Sequence, residues 1–291
     1  MNREKLISYE WAIAIYKGDS PFNLKPIENS PETVITFQNV SDVSANFVAD
    51  PFMIFEDGLW YMFFEVLNRS TGLGEIGYAI SNDCRNWEYK NIVLKNDFHL
   101  SYPFVFKYED EIYMIPETRQ AGEIGLYKAS EFPNNWQKVK TLIKGDYADA
   151  TLTSYNDRWW IFALSGTENL DLYYSDSIFG QWLPHVNNPQ IENDLKISRP
   201  AGKMIKYEDR LYRLAQDGVP LYGNKVRAFE VVEMDEDRYI EREIDESPIL
   251  MATRNGWNSI GMHHVDAHLI ENSYWIACVD GARPKLKKLN R

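Results

Sequence analysis

The segment DPFMIFEDGLWYMFFE, residues 50–65, contains two short apolar strands joined by an acidic turn, Glu56-Asp57-Gly58. Apolar runs joined by short polar turns are typical of β-hairpins. The same pattern recurs in four further segments: YPFVFKYEDEIYMIPE from Tyr102, DATLTSYNDRWWIFAL from Asp149, RPAGKMIKYEDRLYRLAQD from Arg199 and DAHLIENSYWIACVDG from Asp266. The sequence therefore contains five copies of one hairpin motif.

A second hairpin follows each of the first four copies. Each of these stretches reads as a strand, a polar turn, an aromatic residue and a last strand, and the aromatic residues are Trp87, Trp136, Trp182 and Tyr239. Two consecutive hairpins make one four-stranded blade. We therefore predict an all-β, five-bladed β-propeller, with blade cores near residues 50–94, 102–145, 149–191, 199–250 and 266–281 plus 11–31.

The fifth copy lacks its second hairpin, and the missing half lies at the other end of the chain. The stretch WAIAIYKGDSPFNLKPI from Trp11 supplies two candidate strands. We expect the N-terminal strands to complete the last blade, because this closes the ring and leaves no exposed blade edge. The closure predicts a single domain over residues 1–291.

The composition argues against two classes of partner. The chain has 291 residues and a formal net charge of −12. Nucleic-acid-binding proteins usually present a basic patch, and the basic residues cluster only in a short C-terminal tail: Lys285, Lys287, Lys288 and Arg291. We interpret this tail as a solvated terminus and expect no nucleic-acid partner. The acidic balance also argues against an anionic membrane surface.

The cysteines and the N-terminus indicate the compartment. Cys84 and Cys278 are the only cysteines, and their contexts match neither a disulfide framework nor a zinc site. Residues 1–18 contain no apolar core of signal-peptide length, and no apolar run reaches membrane-spanning length. We expect a cytoplasmic protein with no membrane insertion and no cofactor. The oligomeric state is left open.

The first residue of each copy should face the central channel, because the first strand of a propeller blade lines the axis. These residues are Asp50, Tyr102, Asp149, Arg199 and Asp266. Charged side chains inside a protein are paired or functional. The pattern predicts a polar site at one mouth of the channel, and the alternative is a ring of ion pairs around Arg199 that only closes the channel.

Further polar residues should lie near this mouth. Glu65 and Glu117 end the second strands of the first two copies, and they are either site residues or caps between blades. Asp217 and Asp280 fall near the same place in the last two copies. The histidines His263 and His264 directly precede the fifth first strand. Histidine with aspartate can bind a metal, but the spacing matches no metal motif, so we predict none.

Paired carboxyl groups around a channel mouth suit glycosidic bond chemistry. One carboxyl group protonates the leaving oxygen, and another activates water or attacks the anomeric carbon. A third acidic group raises the pKa of the proton donor by repulsion between like charges. Hydroxyl-rich substrates also need hydrogen-bonding groups and flat apolar faces, and the candidates are Arg199, Tyr102, Asn258, Trp257 and His264.

The order of these hairpins resembles the five-bladed glycosidases of the arabinanase/β-xylosidase and invertase/levansucrase superfamily. In the arabinanase type, the first blade opens with an Asp-Pro whose aspartate is the general base, and Asp50-Pro51 matches this pattern. The aspartate that opens the third blade tunes the pKa and orients substrate, and Asp149 matches it. The fourth blade opens with Glu-Gly-Pro, whose glutamate is the general acid, but this chain has Ser198-Arg199-Pro200. The resemblance therefore leaves the general acid open, with Glu117 or Glu65 as replacements.

A second resemblance is more specific because it includes loop residues. The strings WAIAIYKG, FVADPFM, HLSYPFVF, RPAG and GMHHVDAH are similar to the N-terminal propeller domain of plant glucosamine inositolphosphorylceramide transferases and its stand-alone bacterial relatives. The bacterial relatives belong to surface-glycan biosynthesis. In the plant proteins, a separate C-terminal domain resembles a glycosyltransferase. The resemblance implies a sugar-handling propeller.

Two hypotheses follow for function. The first is a carbohydrate-active enzyme, a hydrolase or a glycosyltransferase, in which Asp50 is base or nucleophile, Asp149 orients substrate and Glu117 is the acid. Arg199 would then hold an anionic group of the ligand. The remaining substrate-binding candidates are Glu65, Tyr102, Asp217, Trp257, Asn258, His263, His264 and Asp266. The second hypothesis is a non-catalytic glycan-binding or scaffolding module, which the absent fourth-blade glutamate favours.

Overall fold

The structure is a computed structural model that describes residues 8–285. Lys287, Lys288 and Arg291 of the basic tail lie outside the described residues. Lys285, which opens that tail, donates from Nζ to the side-chain oxygen of Asn46 at 2.6 Å. Among residues 8–285, no helix is long and apolar enough to cross a membrane.

The described chain is built from β-strands arranged in five sheets. The N-terminal strands are β1 (Ser8–Gly18) and β2 (Lys25–Pro26). Blade 1 contains β3 (Ala45–Glu56), β4 (Leu59–Asn68), β5 (Gly74–Ser81) and β6 (Glu88–Leu94). Blade 2 contains β7 (Ser101–Tyr108), β8 (Glu111–Glu117), β9 (Glu123–Glu131) and β10 (Asn134–Lys144). Blade 3 contains β11 (Tyr147–Tyr155), β12 (Arg158–Ser165), β13 (Asn169–Ser175) and β14 (Leu183–Pro184).

Blade 4 has an interrupted inner strand. Its strands are β15 (Arg199–Pro200), β16 (Ile205–Tyr207), β17 (Arg210–Asp217), β18 (Lys225–Met234), β19 (Tyr239–Glu243) and β20 (Leu250–Met251). Both β15 and β16 pair with β17, and β20 pairs with β18 beside β19. Two short 3-10 helices, Arg119–Ala121 and Gly256–Asn258, lie in connections.

The ring closes as the sequence predicts. The last two strands, β21 (Val265–Ile270) and β22 (Tyr274–Lys285), form a sheet with the N-terminal strands in the order β2-β1-β22-β21. The antiparallel pairing of β1 with β22 runs from Ser8 opposite Lys285 to Gly18 opposite Trp275. The predicted five-bladed β-propeller, with its last blade completed by the N-terminus, is therefore confirmed.

Turn chemistry explains why the first hairpin of each blade forms. Four of the five turns have two consecutive residues with positive φ, which is the backbone of a type I′ turn: Asp57-Gly58, Asn156-Asp157, Glu208-Asp209 and Glu271-Asn272. This turn matches the twist of the flanking strands, and Asn, Asp and Gly tolerate the left-handed backbone at low cost. The acidic turns that define the sequence repeat therefore set the register of the inner strands.

Aromatic residues hold the blades together. The indole N–H groups of Trp87, Trp136 and Trp182 donate to the backbone carbonyls of Cys84, Pro133 and Ile178, so each ring anchors its own outer hairpin. Ring pairs then join neighbouring blades: Phe63 with Trp136, Tyr108 with Trp159, Phe162 with Tyr239, and Tyr207 with Trp275. Such pairs add to the stabilisation from burial alone, and they leave the inner strands to position the mouth.

Candidate functional site

Three first-strand residues share an unusual backbone conformation. Asp50, Tyr102 and Asp149 have φ values of 53°, 44° and 53°, although none is glycine. Each lies in a bulge, where the strand pairing skips residues in β3, β7 and β11. A left-handed backbone costs an ordinary residue about 1–2 kcal/mol, and such strain concentrates at functional sites. The three residues therefore form one structural column, in the order that the sequence predicts.

The fifth blade departs from the predicted column. Asp266 pairs with Cys278, which is the ladder position that Phe52 and Phe63 occupy in the first blade. His264 lies two residues earlier, and its carbonyl accepts a hydrogen bond from the Asp280 amide. The expected alignment of Asp266 with Asp50 is therefore corrected: His264 takes that position. The reason is spacing, because Asp266 lies five residues before Glu271, the first residue of its turn, whereas Asp50 lies seven residues before Asp57. The ladder of the fifth blade also runs from Val265 to Ile270 without a bulge.

Asp280 organises one side of the mouth. Its Oδ1 accepts hydrogen bonds from His263 Nδ1 at 2.7 Å and from the His263 amide at 3.2 Å. Its Oδ2 accepts from the amide of Asp50 at 3.0 Å. Because Nδ1 carries a proton toward Asp280, His263 Nε2 faces Asp50, with 3.7 Å between Nε2 and Oδ1. The arrangement is a buried chain in which the Asp280 carboxylate, the His263 imidazole and the Asp50 carboxyl group follow one another.

The electrostatics of this chain favour a charged imidazole beside a protonated Asp50. Burial raises the pKa of Asp50 to about 8 against the lowering effect of His263, with Asp149, Asp280 and Glu65 adding to the rise. Burial alone would lower the pKa of His263, but Asp280 reverses this and the net pKa is raised. Burial likewise works against ionisation of Asp280, whose pKa is nevertheless lowered by His263. Asp50 therefore ionises near pH 8 beside an imidazolium whose charge favours its ionised form.

Two aromatic rings fix His263 in place. Trp11 of β1 stacks on its imidazole at 4.0 Å between ring centroids and an interplanar angle of 18°. Tyr222 contacts the same ring edge-on at 5.6 Å, from the loop that follows β17. The ring of Tyr222 also lies 5.4 Å from the Arg199 guanidinium. The N-terminal strand that closes the propeller thus also contributes a wall of the mouth.

Glu117, Asp149 and Arg199 form the opposite side. The Arg199 Nε–H donates to Asp149 Oδ2, and Arg199 Nη2 lies 3.8 Å from Glu117 Oε2. Two buried oxygens, Glu117 Oε2 and Asp149 Oδ1, have no conventional hydrogen-bond partner among the described residues. Burial and the adjacent Asp149 raise the pKa of Glu117 well above its usual range. Both effects favour the protonated form of Glu117.

Glu65 is paired with a histidine that the sequence analysis did not select. The Gly74 amide donates to His99 Nδ1 at 2.9 Å, so the neutral ring carries its proton on Nε2. That nitrogen lies 3.3 Å from Glu65 Oε1. Burial alone would lower the pKa of His99, but the hydrogen bond that it donates to Glu65 raises the pKa. His99 and Glu65 together form a third titratable pair at the mouth.

Tyr102 and His264 form a floor beneath the carboxyl groups. Tyr102 is 1% exposed, and its hydroxyl accepts a hydrogen bond from the Gly202 amide at 2.8 Å and lies 2.7 Å from Thr151 Oγ1. Its ring and that of His264 both pack edge-on against Phe52. The sequence placed Tyr102 in direct contact with substrate, whereas the structure places it inside the floor.

His264 stands out because neither of its ring nitrogens has a partner among the described residues. Burial lowers its pKa to about 4, so the imidazole is neutral at neutral pH. Its position in the column makes it a hydrogen-bonding group aimed at the channel axis rather than a charge.

Asp266 lies beyond the floor. It is completely buried and forms ion pairs with Lys203 at 3.3 Å and His268 at 2.9 Å, and it accepts from the Met53 amide at 2.6 Å. Burial opposes its ionisation, but His268 and Lys203 lower its pKa below the usual value. Through these contacts Asp266 links blades 1, 4 and 5.

Three other predicted residues are engaged in structural contacts. Asp217 is buried against Lys225 at 3.3 Å, Arg227 at 2.9 Å and the Val219 amide. The Asn258 side chain accepts from Thr253 and donates to the sulfur of Met262. The ring of Trp257 is partly buried against the core of blades 4 and 5. The structure does not bring these three side chains to the acidic cluster.

The mouth also contains the one set of potential metal ligands found among residues 8–285. Ligand atoms of Asp50, His263 and Asp280 lie within 4.8 Å of one another. In the described geometry, Asp280 Oδ1 and His263 Nδ1 are occupied by their mutual hydrogen bond, so a metal would bind through Asp50 and His263 Nε2. The prediction of no metal stays a prediction.

Sequence reasoning missed several residues of the mouth. Trp11, His99, Gln216 and Tyr222 all lie there or beside it, and His99 belongs to the string HLSYPFVF that supported the family resemblance. Ser198, the residue in place of the glycosidase glutamate, is buried, and its hydroxyl donates to the carbonyls of Glu168 and Asp194. Its hydroxyl is therefore engaged by backbone carbonyls rather than by the carboxyl cluster.

Comparison with known proteins gives both sequence and structural relatives. The glucosamine inositolphosphorylceramide transferase 1 of rice (Oryza sativa subsp. japonica) is 36% identical over 94% of this chain and 40% of its own length. The protein of the same name from Arabidopsis thaliana is 35% identical over 94% of this chain and 39% of its own length. This chain thus spans about 40% of the length of the curated relatives it matches.

The solved structures include five-bladed glycoside hydrolases. The catalytic domain of an α-L-arabinofuranosidase from Coprinopsis cinerea superimposes with a TM-score of 0.64 over 94% of this chain and 97% of that domain, at 12% identity. This similarity supports the fold and agrees with the first resemblance. The family model described as "Glucosamine inositolphosphorylceramide transferase 1, N-terminal" matches residues 7–282. The chain therefore belongs to that family, as the second resemblance predicted.

Proposed function

We propose that the mouth is a carbohydrate-active site in which Glu117 gives a proton and Asp50 accepts one while a glycosidic bond is broken or formed. The names of the plant relatives and the glycoside hydrolase fold support a sugar as the ligand. The observation that carries the proposal is the contrast between two carboxyl groups at one mouth. Burial and Asp149 raise the pKa of Glu117, which favours its protonated form, whereas the burial that raises the pKa of Asp50 is opposed by the positive charge of His263.

Glu117 fits the role of general acid. The pKa of its carboxyl group is raised by burial and by Asp149, so the group is protonated when substrate arrives. It transfers that proton to the glycosidic oxygen as the bond from this oxygen to the anomeric carbon breaks. Asp149 then stabilises the orientation of Glu117, and Arg199 offsets the charge that develops on the two carboxylates.

Asp50 fits the role of general base once it is ionised. Its carboxylate takes a proton from water or from an acceptor hydroxyl as the new bond to the anomeric carbon forms. Because its pKa is about 8, Asp50 is partly ionised at neutral pH and becomes fully ionised above pH 9. His263 acts as a positioning residue whose positive charge favours the ionised form of Asp50. With water as acceptor the reaction is hydrolysis, and with a sugar or lipid hydroxyl it is transfer.

A specific observation favours a second candidate, a glycan-binding module without turnover. The fourth-blade position of the glycosidase glutamate is occupied by Ser198, whose hydroxyl is bound by two backbone carbonyls. In this candidate, Glu117 and Asp149 bind sugar hydroxyl groups without transferring protons.

The experiment is a screen of nucleotide sugars and oligosaccharides against wild type, Asp50→Asn and Val186→Ala, following products by mass spectrometry and binding by ligand-observed NMR. Val186 is exposed and follows β14, the outermost strand of blade 3, so its variant controls for handling. The proposal expects product from wild type and the Val186 variant, and binding without product from Asp50→Asn. Binding by all three proteins with product from none would support the binding module instead.

A further inference from the structure

A cavity of about 270 Å³ opens beside the carboxyl cluster, between the inner ends of blades 3 and 4. Its walls include Leu164, Leu195, Arg199, Gln216 and Tyr222. The volume lies near the lower limit of small-molecule pockets, which start at about 300 Å³. The cavity is continuous with the mouth because Arg199 lines it and is bonded to Asp149.

Gln216 is the first indication that this cavity binds a ligand. Its side chain lines the cavity, and the residue is only 5% exposed. Its backbone is fixed by pairing with Arg199 on one side and Val226 on the other. A carboxamide held in this way at a cavity wall offers a ligand two N–H donors and one oxygen acceptor.

Arg199 supplies donors to the same space. Only its Nε donates a hydrogen bond to a described residue, and Nη2 lies 3.8 Å from Glu117, beyond hydrogen-bond distance. The two terminal nitrogens therefore retain N–H groups in a fixed fork. Such a fork matches two adjacent oxygen acceptors, and the vicinal hydroxyl groups of a sugar ring present them.

The remaining walls are flat and apolar. The ring of Tyr222 is 46% exposed, and it contacts Arg199 from the side of the cavity. Leu195 is 48% exposed across from it, on the loop whose carbonyl accepts a hydrogen bond from the Gly218 amide. A half-exposed aromatic ring beside fixed polar groups is a surface on which the apolar face of a sugar ring packs.

The charges around the cavity favour a neutral ligand. Asp149 already pairs with the guanidinium of Arg199, and the neighbouring titratable groups are Glu117, Asp50, Glu65, His263, His99 and Tyr222. Five carboxyl groups lie around the mouth, and the guanidinium of Arg199 is already paired with Asp149, so an anionic ligand would be repelled by the carboxyl groups that are ionised. A neutral ligand is therefore favoured here, although the sequence suggested an anionic group at Arg199.

We propose that the cavity is a second sugar subsite, which takes a neutral pyranose unit joined to the unit at the carboxyl cluster. The ligand is then a neutral oligosaccharide of at least two units. This inference rests on the proposed carbohydrate function and adds the substrate class. Gln216 and the Arg199 fork bind hydroxyl groups of the second unit, and Tyr222 packs against its face.

The test is a glycan array of neutral and acidic oligosaccharides, with matched monosaccharides, probed with wild type, Gln216→Ala, Gln216→Glu and Val186→Ala. We expect neutral oligosaccharides to bind wild type and the Val186 variant. Gln216→Ala should weaken disaccharide binding about tenfold, equivalent to about 1.4 kcal/mol, and leave monosaccharide binding unchanged. Gln216→Glu, which is nearly the same size, separates lost hydrogen bonding from altered packing, and thermal melting checks that each variant folds.

Three results would overturn the subsite: retention of only acidic glycans, no retention of any neutral oligosaccharide, or equal binding by wild type and Gln216→Ala. Because the readout is binding, it is independent of turnover. Gln216-dependent binding without product would leave the subsite standing and the enzyme proposal failing. Product formation with unchanged binding in Gln216→Ala would leave the enzyme proposal standing and would refute the subsite.

Discussion

His263 donates a hydrogen bond from Nδ1 to Asp280 at 2.7 Å, and this contact turns its Nε2 toward Asp50. The Asp280 carboxylate also accepts a hydrogen bond from the Asp50 amide, so it joins β22 to β3, two strands that are distant in sequence. The Asp280 carboxylate therefore fixes the positions of Asp50 and of the imidazole that faces it. Positioning of this kind is what lets a buried carboxyl group titrate near neutral pH.

Replacing His263 should make Asp50 harder to ionise. Burial raises the pKa of Asp50 to about 8, and the charged imidazole works against that rise. His263→Asn removes the positive charge, so the pKa of Asp50 should move above 8 and any activity that depends on ionised Asp50 should need higher pH. Carbon-detected NMR titration of aspartate carboxyl groups measures this, with Asp50→Asn to assign the signal.

His268→Asn provides the control for this titration, because His268 contacts Asp266 rather than Asp50. The titration of Asp50 should be unchanged in that variant. A fall in the pKa of Asp50 in His263→Asn, or equal shifts in both variants, would contradict the proposed pairing.

Asp50→Asn should stabilise the protein at alkaline pH. In the unfolded chain an aspartate ionises near pH 4, whereas in the folded protein Asp50 ionises near pH 8. Folding stability from this group is therefore complete below pH 4 and is lost as the pH rises to 8. Asparagine does not ionise, so the variant avoids this loss of folding stability, and it tolerates the left-handed backbone at φ 53°.

Thermal or denaturant unfolding of both proteins from pH 4 to pH 9 measures this effect. The difference in unfolding free energy should be small at pH 4 and grow to about 1–3 kcal/mol in favour of the variant by pH 9. A difference that stays constant over this range would show that Asp50 ionises normally in the folded state.

Tyr102→Phe distinguishes a floor residue from a substrate contact. Its hydroxyl bonds the buried Gly202 amide at 2.8 Å, so its removal leaves that amide unpaired. We expect a loss of about 1–3 kcal/mol in unfolding free energy and unchanged affinity for any sugar found in the screen. Denaturant unfolding and NMR binding give the two readouts. Lost affinity at unchanged stability would restore the original interpretation of Tyr102 as a substrate-binding residue.

Gly202 is required by close approach of two blades. It has φ 133°, and a Cβ atom placed on it would lie 1.8 Å from the carbonyl oxygen of Val265. Gly202→Ala should therefore destabilise the protein by more than 3 kcal/mol or prevent folding. Gly166 is the matched control, since it has φ 58° with nothing within 4 Å of its Cβ position. Gly166→Ala should cost only about 1–2 kcal/mol for the backbone, and similar losses in both variants would refute the steric argument.

The sequence was sufficient to predict the propeller because its hairpins have two independent signals. Alternating apolar strands mark the blades, and acidic or asparagine-containing turns mark the type I′ connections, as at Asp57-Gly58. The closure by Trp11 and its neighbours followed from an incomplete fifth repeat. These features are local, so they can be read without tertiary information.

The site was predicted only in part, for reasons that depend on tertiary contacts. Asp50, Asp149 and Arg199 meet because they begin equivalent strands. Asp266 differs because it lies two residues nearer to its hairpin turn than Asp50 does, and its strand lacks the bulge. Asp217 forms ion pairs with Lys225 and Arg227 across a hairpin, so its charge is used in contacts within the blade.

Loop residues were the hardest to predict. His99 and Tyr222 reach the mouth from connections whose paths have no sequence periodicity. Tyr222 follows β17 on a loop that bends back to His263. These two residues come to the mouth only in the assembled propeller.

The most direct test of the central claim is the leaving-group dependence of Glu117→Gln. Wild type and the variant are compared on a panel of dinitrophenyl glycosides and on methyl glycosides of the same sugars. An activated leaving group departs without a proton, so the account predicts near wild-type rates for Glu117→Gln on the dinitrophenyl glycosides. It predicts a loss of about 10²–10⁴-fold on the methyl glycosides. Equal losses on both kinds of substrate, or no cleavage of any panel member by wild type, would contradict the assignment of Glu117 as the acid of a carbohydrate-active enzyme.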